Sequence, residues 1–78
     1  MSLIEITIAD LNKQERRLLM QASTYVRDIR SHYGYGTGVC LYSSMTRLDV
    51  DQPLSRYDLR NGARLEFRMW RHNIYNLF

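Results

Sequence analysis

The residues best equipped for chemistry in this chain are a set that recognises rather than reacts: Tyr42, Arg64, Glu66, Arg68, Trp70, Tyr75 and Phe78. A guanidinium pairs with carboxylates through two parallel hydrogen bonds and stacks on rings, and large amphipathic aromatics bury area while keeping a polar edge. Arginine and aromatic side chains are the types that most often anchor interfaces. Catalytic candidates fail on context. Gly34, Gly36 and Gly38 are spaced like a phosphate-binding loop. Such loops leave a strand and open a helix, whereas this one leaves a predicted helix and enters a predicted strand. Asp49-x-Asp51 begins like a calcium loop, but Pro53 stands where the next oxygen ligand is needed and Arg60 where the closing carboxylate is needed. His32 and His72 have no metal-ligand spacing, and nothing beside Cys40 marks a lowered thiol pKa. No nucleophile, base and orienting acid assemble from local sequence, so the expectation is a noncatalytic protein without cofactor or metal.

These recognition residues need a scaffold, and hydrophobic periodicity describes one. Ile4, Ile6 and Ile8 alternate with Glu5, Thr7 and Ala9, a half-buried first strand. Leu65, Phe67 and Met69 alternate with Arg64, Glu66 and Arg68 in a last strand. With the first three pointing inward, Arg64, Glu66, Arg68 and Trp70 project outward together with Tyr42 as a rim.

Between these strands two readings compete. Asp10-Leu-Asn-Lys-Gln supplies turn residues, after which Arg17 to Gln21 returns as the second strand of a hairpin. Leu11, Leu18, Ala22, Tyr25 and Ile29 also fit a helical stripe, which would make residues 11 to 33 one long helix. The hairpin is preferred because a last strand needs partners and a two-stranded sheet is marginal. Ser23 or Thr24 then caps a helix with Val26, Ile29 and Tyr33 on one face, Gly34 provides its left-handed exit, and Val39 to Tyr42 is the third strand.

The segment from Leu48 to Phe67 is the most specific. Leu54 and Leu59 are apolar anchors on either side of a short turn in which Ser55 can cap orphan amides, and Asn61-Gly62 supplies a reversal into the last strand. The pattern Leu-Ser-x-Tyr-x-Leu-x-x-Gly-x-x-Leu-x-Phe, from Leu54 to Phe67, resembles the ubiquitin superfamily. The resemblance covers residues 48 to 67 well and the remainder by pattern. It implies an α+β, ubiquitin-like β-grasp over residues 1–70, with a mixed four-stranded sheet covered by one helix, followed by an aromatic extension over residues 71–78.

Ubiquitin and the sulfur carriers act through a slim Gly-Gly tail. Here the last residues run Trp70-Arg-His-Asn-Ile-Tyr-Asn-Leu-Phe78, whose bulk speaks against conjugation and sulfur transfer. An isoleucine-rich first strand and the closing pattern are similar to the small YukD-type proteins of bacterial type VII secretion, which implies a bacterial secretion accessory as one context. A sulfur-carrier role ranks third among functions.

Composition bounds the rest. Seventy-eight residues hold one domain. Net charge is +3, and every basic residue except Lys13 is arginine. This basic character makes nucleic-acid binding the alternative function, yet eight acidic residues are interspersed and no block of like charge occurs. A single cysteine and the lack of any long apolar run point to a cytoplasmic protein without membrane insertion. The leading expectation is a protein-interaction or regulatory module whose partner is another protein, with self-association as the simplest case. Ile74, Tyr75, Leu77 and Phe78 are expected to be sequestered, against the protein's own sheet edge or, preferably, in that partner.

Overall fold

A computed structural model describes residues 3–70. Tyr75 and Phe78, with the rest of the aromatic extension, lie outside the described residues. The order is β1 (Leu3–Ala9), β2 (Glu15–Gln21), α1 (Val26–His32), β3 (Val39–Ser43), β4 (Thr46–Arg47), a 3₁₀ turn (Leu54–Tyr57) and β5 (Ala63–Met69). The strands form one mixed sheet in the order β2-β1-β5-β3-β4, with β1 and β5 parallel at its centre and the other pairings antiparallel. The sheet therefore has five strands rather than four. The additional β4 is two residues long, and its reversal is made by Ser44 at φ 59°, a conformation that sequence types alone do not announce for serine.

The hairpin prevails over the long helix because Asp10 builds its turn. One carboxylate oxygen of Asp10 accepts from the amides of Asn12 (2.8 Å) and Gln14 (2.9 Å), and Lys13 takes φ 68° to close the reversal. In β2 the apolar residues on the helix side are then Leu18 and Met20, opposite Ile6 and Ile4.

Helix α1 starts at Val26 with Tyr25 in the N-cap position and no side-chain cap, so neither Ser23 nor Thr24 has the expected role. Backbone satisfies the orphan donors instead. The amides of Val26 and Arg27 donate to the carbonyls of Gln52 (3.0 Å) and Val50 (3.1 Å). Gly34 exits at φ +74° as expected. The 3₁₀ turn is pinned beneath the β2–α1 connection by the amides of Leu54 and Ser55, which donate to Thr24 and Ala22. Ser55 makes no side-chain cap there, because Pro53 holds the cap position and uses none.

Ile6, Ile8, Val26, Ile29, Leu41 and Leu54 form the centre of the core, closed by Leu48, Leu65 and Phe67. Leu59 packs against it only partly buried. Gly62 adopts φ +90°, and its neighbour Asn61 accepts from the Glu5 amide through Oδ1 at 2.9 Å, tying the last turn to β1. Met69 departs from expectation. It is 59% exposed, although its register partner Val39 is buried in the core.

Candidate functional site

With the helix covering one side of the sheet, alternation in β5 sends Arg64, Glu66 and Arg68 to the other. The strand register sets their neighbours. One row across the outer face reads Glu15, Ala9, Glu66, Tyr42 and Arg47, flanked on β5 by Arg64 and Arg68. Five residues expected to form the rim, Tyr42, Arg64, Glu66, Arg68 and Trp70, thus lie on or beside this face.

Glu66 is its electrostatic centre. Its two oxygens accept from Arg64 Nη1 (2.9 Å) and Arg68 Nε (3.1 Å), with Lys13 Nζ 3.8 Å away. The hydrogen bonds from Arg64 and then Arg68 hold the Glu66 carboxyl below the usual glutamate range. Arg64 continues across the sheet, donating from Nε to Glu15 at 2.9 Å, and its bonds to Glu66 and Glu15 raise its own pKa. Ala9 lies between those two glutamates in the register and is fully buried, so the bridge spans a small side chain. Arg68 also donates from Nη2 to the Ser44 carbonyl at 2.9 Å.

Stacking holds the aromatic half. The Arg68 guanidinium sits 4.5 Å from the Tyr42 ring centre, and Arg47 sits 4.3 Å from that of Trp70. The Trp70 amide donates to the Gly38 carbonyl at 2.7 Å, which fixes the chain where it leaves β5. An open depression of about 500 Å³ lies at this end, lined by Leu11, Lys13, Tyr42, Arg68, Met69 and Trp70, with Phe67 beneath. Such an arrangement is chemically suited to docking. Its long side chains are already ordered, so little rotamer freedom remains to be lost on binding.

Lys13, Glu15 and Arg47 escaped sequence reasoning. Glu15 was discoverable from its alternation with Arg17 in β2. Arg47 depends on β4, whose signal is only the Ser43-Ser44 pair before Thr46.

Other candidates have structural duties. Asp49 accepts from the Asp51 amide, and Asp51 pairs with Arg27 at 2.8 Å. Cys40 is a buried free thiol on β3, and Gly34 to Gly38 connects α1 to β3. Among the described residues no three His, Cys, Asp or Glu side chains group as a metal site, and no helix is long and apolar enough to cross a membrane.

No family model matches this chain, and neither does any curated protein. Solved structures do. The one reported as "Molecular Mimicry of SUMO promotes DNA repair" superposes with a TM-score of 0.76 at 15% identity, covering 88% of this chain and 94% of that one. The chain has the ubiquitin-like β-grasp fold. The ubiquitin-like domain of an Arabidopsis thaliana protein matches with a TM-score of 0.72 at 16% identity over 94% of this chain and 83% of that one. The UBL domain of Plasmodium falciparum Dsk2 gives 0.73 at 11% identity over 85% and 96%. Identities this low carry the β-grasp architecture and leave the YukD-type resemblance without support from these comparisons.

Proposed function

We propose that this ubiquitin-like module is noncatalytic and binds another protein through the outer sheet face, with Tyr42, Arg64, Glu66, Arg68 and Trp70 as the contact set and Tyr75 and Phe78 extending it. The observation that carries the reading is the pair of neighbouring stacks, Arg68 on Tyr42 and Arg47 on Trp70, the first of them held by the Glu66 carboxylate. Exposed Met69 and Trp70 add apolar area beside the charges, the mixture typical of a binding patch.

The same geometry argues against nucleic acid as first choice. Arg64 is engaged by two glutamates and Arg68 by one, so phosphate would have to displace carboxylates already in place. The narrower role of a bacterial secretion accessory rests on the YukD-type resemblance alone.

The test is affinity capture with the full chain and with a Tyr42→Ala/Trp70→Ala variant. A protein retained by the first and lost by the second supports the reading; identical retained sets sink it. Binding to RNA or single-stranded DNA that falls steeply with salt would transfer the face to the alternative function. Removing residues 72–78 should weaken partner retention while leaving the fold intact.

A further inference from the structure

The sheet has an open edge at β2, whose far side pairs with no strand among the described residues. Beside it runs a groove of about 280 Å³ between β2 and α1, floored by Leu18, Met20 and Ile29, with Leu19 66% exposed at its lip. Edge strands with exposed apolar runs template pairing unless charge interrupts them, and Leu18-Leu19-Met20 is uninterrupted.

We infer that this edge pairs with the same edge of a second copy, β2 against β2 in antiparallel fashion about Leu18, joining two sheets into one. The charges select that occupant and that register. The Thr24 amide donates to the Gln21 carbonyl, which places the start of α1 at the C-terminal end of β2, and the Leu11 amide donates to the Tyr35 hydroxyl, which places its end near the β1–β2 turn. Thr24 and Asp28 line the groove toward the first end, His32 and Tyr33 toward the second. Arg16, on the helix-facing side of β2, is therefore at one end of the groove and Asp28 at the other. Both are exposed, and neither has an ion pair or side-chain hydrogen bond among the described residues. A two-fold axis through Leu18 sets Arg16 of each copy opposite Met20 of the other, beside the other copy's Asp28. Two complementary pairs form at once.

The remaining opposites in this register are also compatible. Arg17, paired to Glu5 at 3.6 Å, lays its stem against Leu19 of the second copy, Glu15 meets Gln21, and the whole of β2 is used. Sliding toward the N-terminus places Arg17 opposite Arg17, a like-charge contact. Sliding either way shortens the overlap, and sliding toward the C-terminus takes Arg16 out of the paired stretch. Tyr33, whose buried Oη has no hydrogen-bond partner among the described residues, lies at the groove end that receives the second copy's Asp28.

Sedimentation of the full chain from about 1 μM to about 1 mM covers the range in which a small edge-to-edge interface dissociates. A monomer–dimer equilibrium is expected, with β2 amides that do not bond to β1 gaining exchange protection as concentration rises. Asp28→Arg should weaken it about tenfold or more, Arg16→Asp likewise, and the Arg16→Asp/Asp28→Arg double reversal should restore it to within about threefold. Two independent single variants guard against misfolding of either. Trp70→Ala should leave the dimer intact, which separates this edge from the proposed partner face. A chain that stays monomeric throughout overturns the inference, as does a dimer indifferent to both reversals. So does association, or concentration-independent β2 protection, that disappears on deleting residues 72–78, because the chain's own tail would then be the occupant.

Discussion

Leu65→Ala removes three carbons from a side chain with no exposed surface, in the central strand opposite Ile8. At about 0.8 kcal/mol per buried methylene the transfer loss alone is about 2.4 kcal/mol. A rigid sheet on one side and α1 on the other limit collapse around the void, so the cavity contribution raises the expected cost to about 3–5 kcal/mol. A chain of 78 residues has roughly 4–12 kcal/mol of total stability at typical per-residue values. The variant should therefore lose a large share of its stability. Urea denaturation followed by circular dichroism measures this directly, and the melting temperature should fall by at least about 12 °C, taking about 4 °C per kcal/mol for this size. Leu59→Ala is the internal control. Leu59 is only partly buried at the core margin, so its truncation should cost about 1–2 kcal/mol. Loss of under about 1 kcal/mol for Leu65→Ala, or equal losses for both, would refute the burial order on which the fold is argued.

The tyrosines divide by partner. Tyr33→Phe should leave stability unchanged or raise it, because it deletes a buried hydroxyl that has no partner among the described residues, whereas Tyr35→Phe and Tyr57→Phe should each cost about 0.5–1.5 kcal/mol by orphaning the Leu11 and Asp49 amides they accept from. Thermal denaturation of the three variants checks the ranking. Burial raises the Tyr33 pKa above 10.0, so ultraviolet titration should lose a late-ionising component in Tyr33→Phe, with wild-type stability falling as pH rises through that range. Glu66 has the opposite sign: its depressed pKa means stability present above 4.5 and lost as pH falls through the lower folded value, and Glu66→Gln should flatten the acid limb of melting temperature against pH. Gly62→Val should cost about 1–3 kcal/mol by denaturant titration, from backbone strain alone, since a Cβ at φ +90° meets no atom within 4 Å.

Sequence determined what depends on local periodicity and on residues with few allowed conformations. Alternation of Ile4, Ile6 and Ile8 and of Leu65 and Phe67 assigned two central strands and their inner faces, and hence which side Arg64, Glu66 and Arg68 would take. Gly34 and Gly62 marked reversals because positive φ costs glycine little. Contacts between segments distant in the chain were decided only in three dimensions. The α1 amides are capped by carbonyls of residues 50 and 52, so Ser23 and Thr24 were sound local candidates for a task that remote backbone performs. Met69 follows the alternation faithfully yet is exposed, because period two specifies a face but not what packs over each position on it. Glu66 was visible as one acid among arginines. That it is gripped by residues two positions away on either side, while Arg64 reaches past Ala9 to Glu15, follows from a strand register that places residues 9, 15 and 66 in one row. Side-chain type and spacing are properties of the chain, but an interface is a property of which strands lie side by side, and that is fixed by packing the whole sheet against one helix.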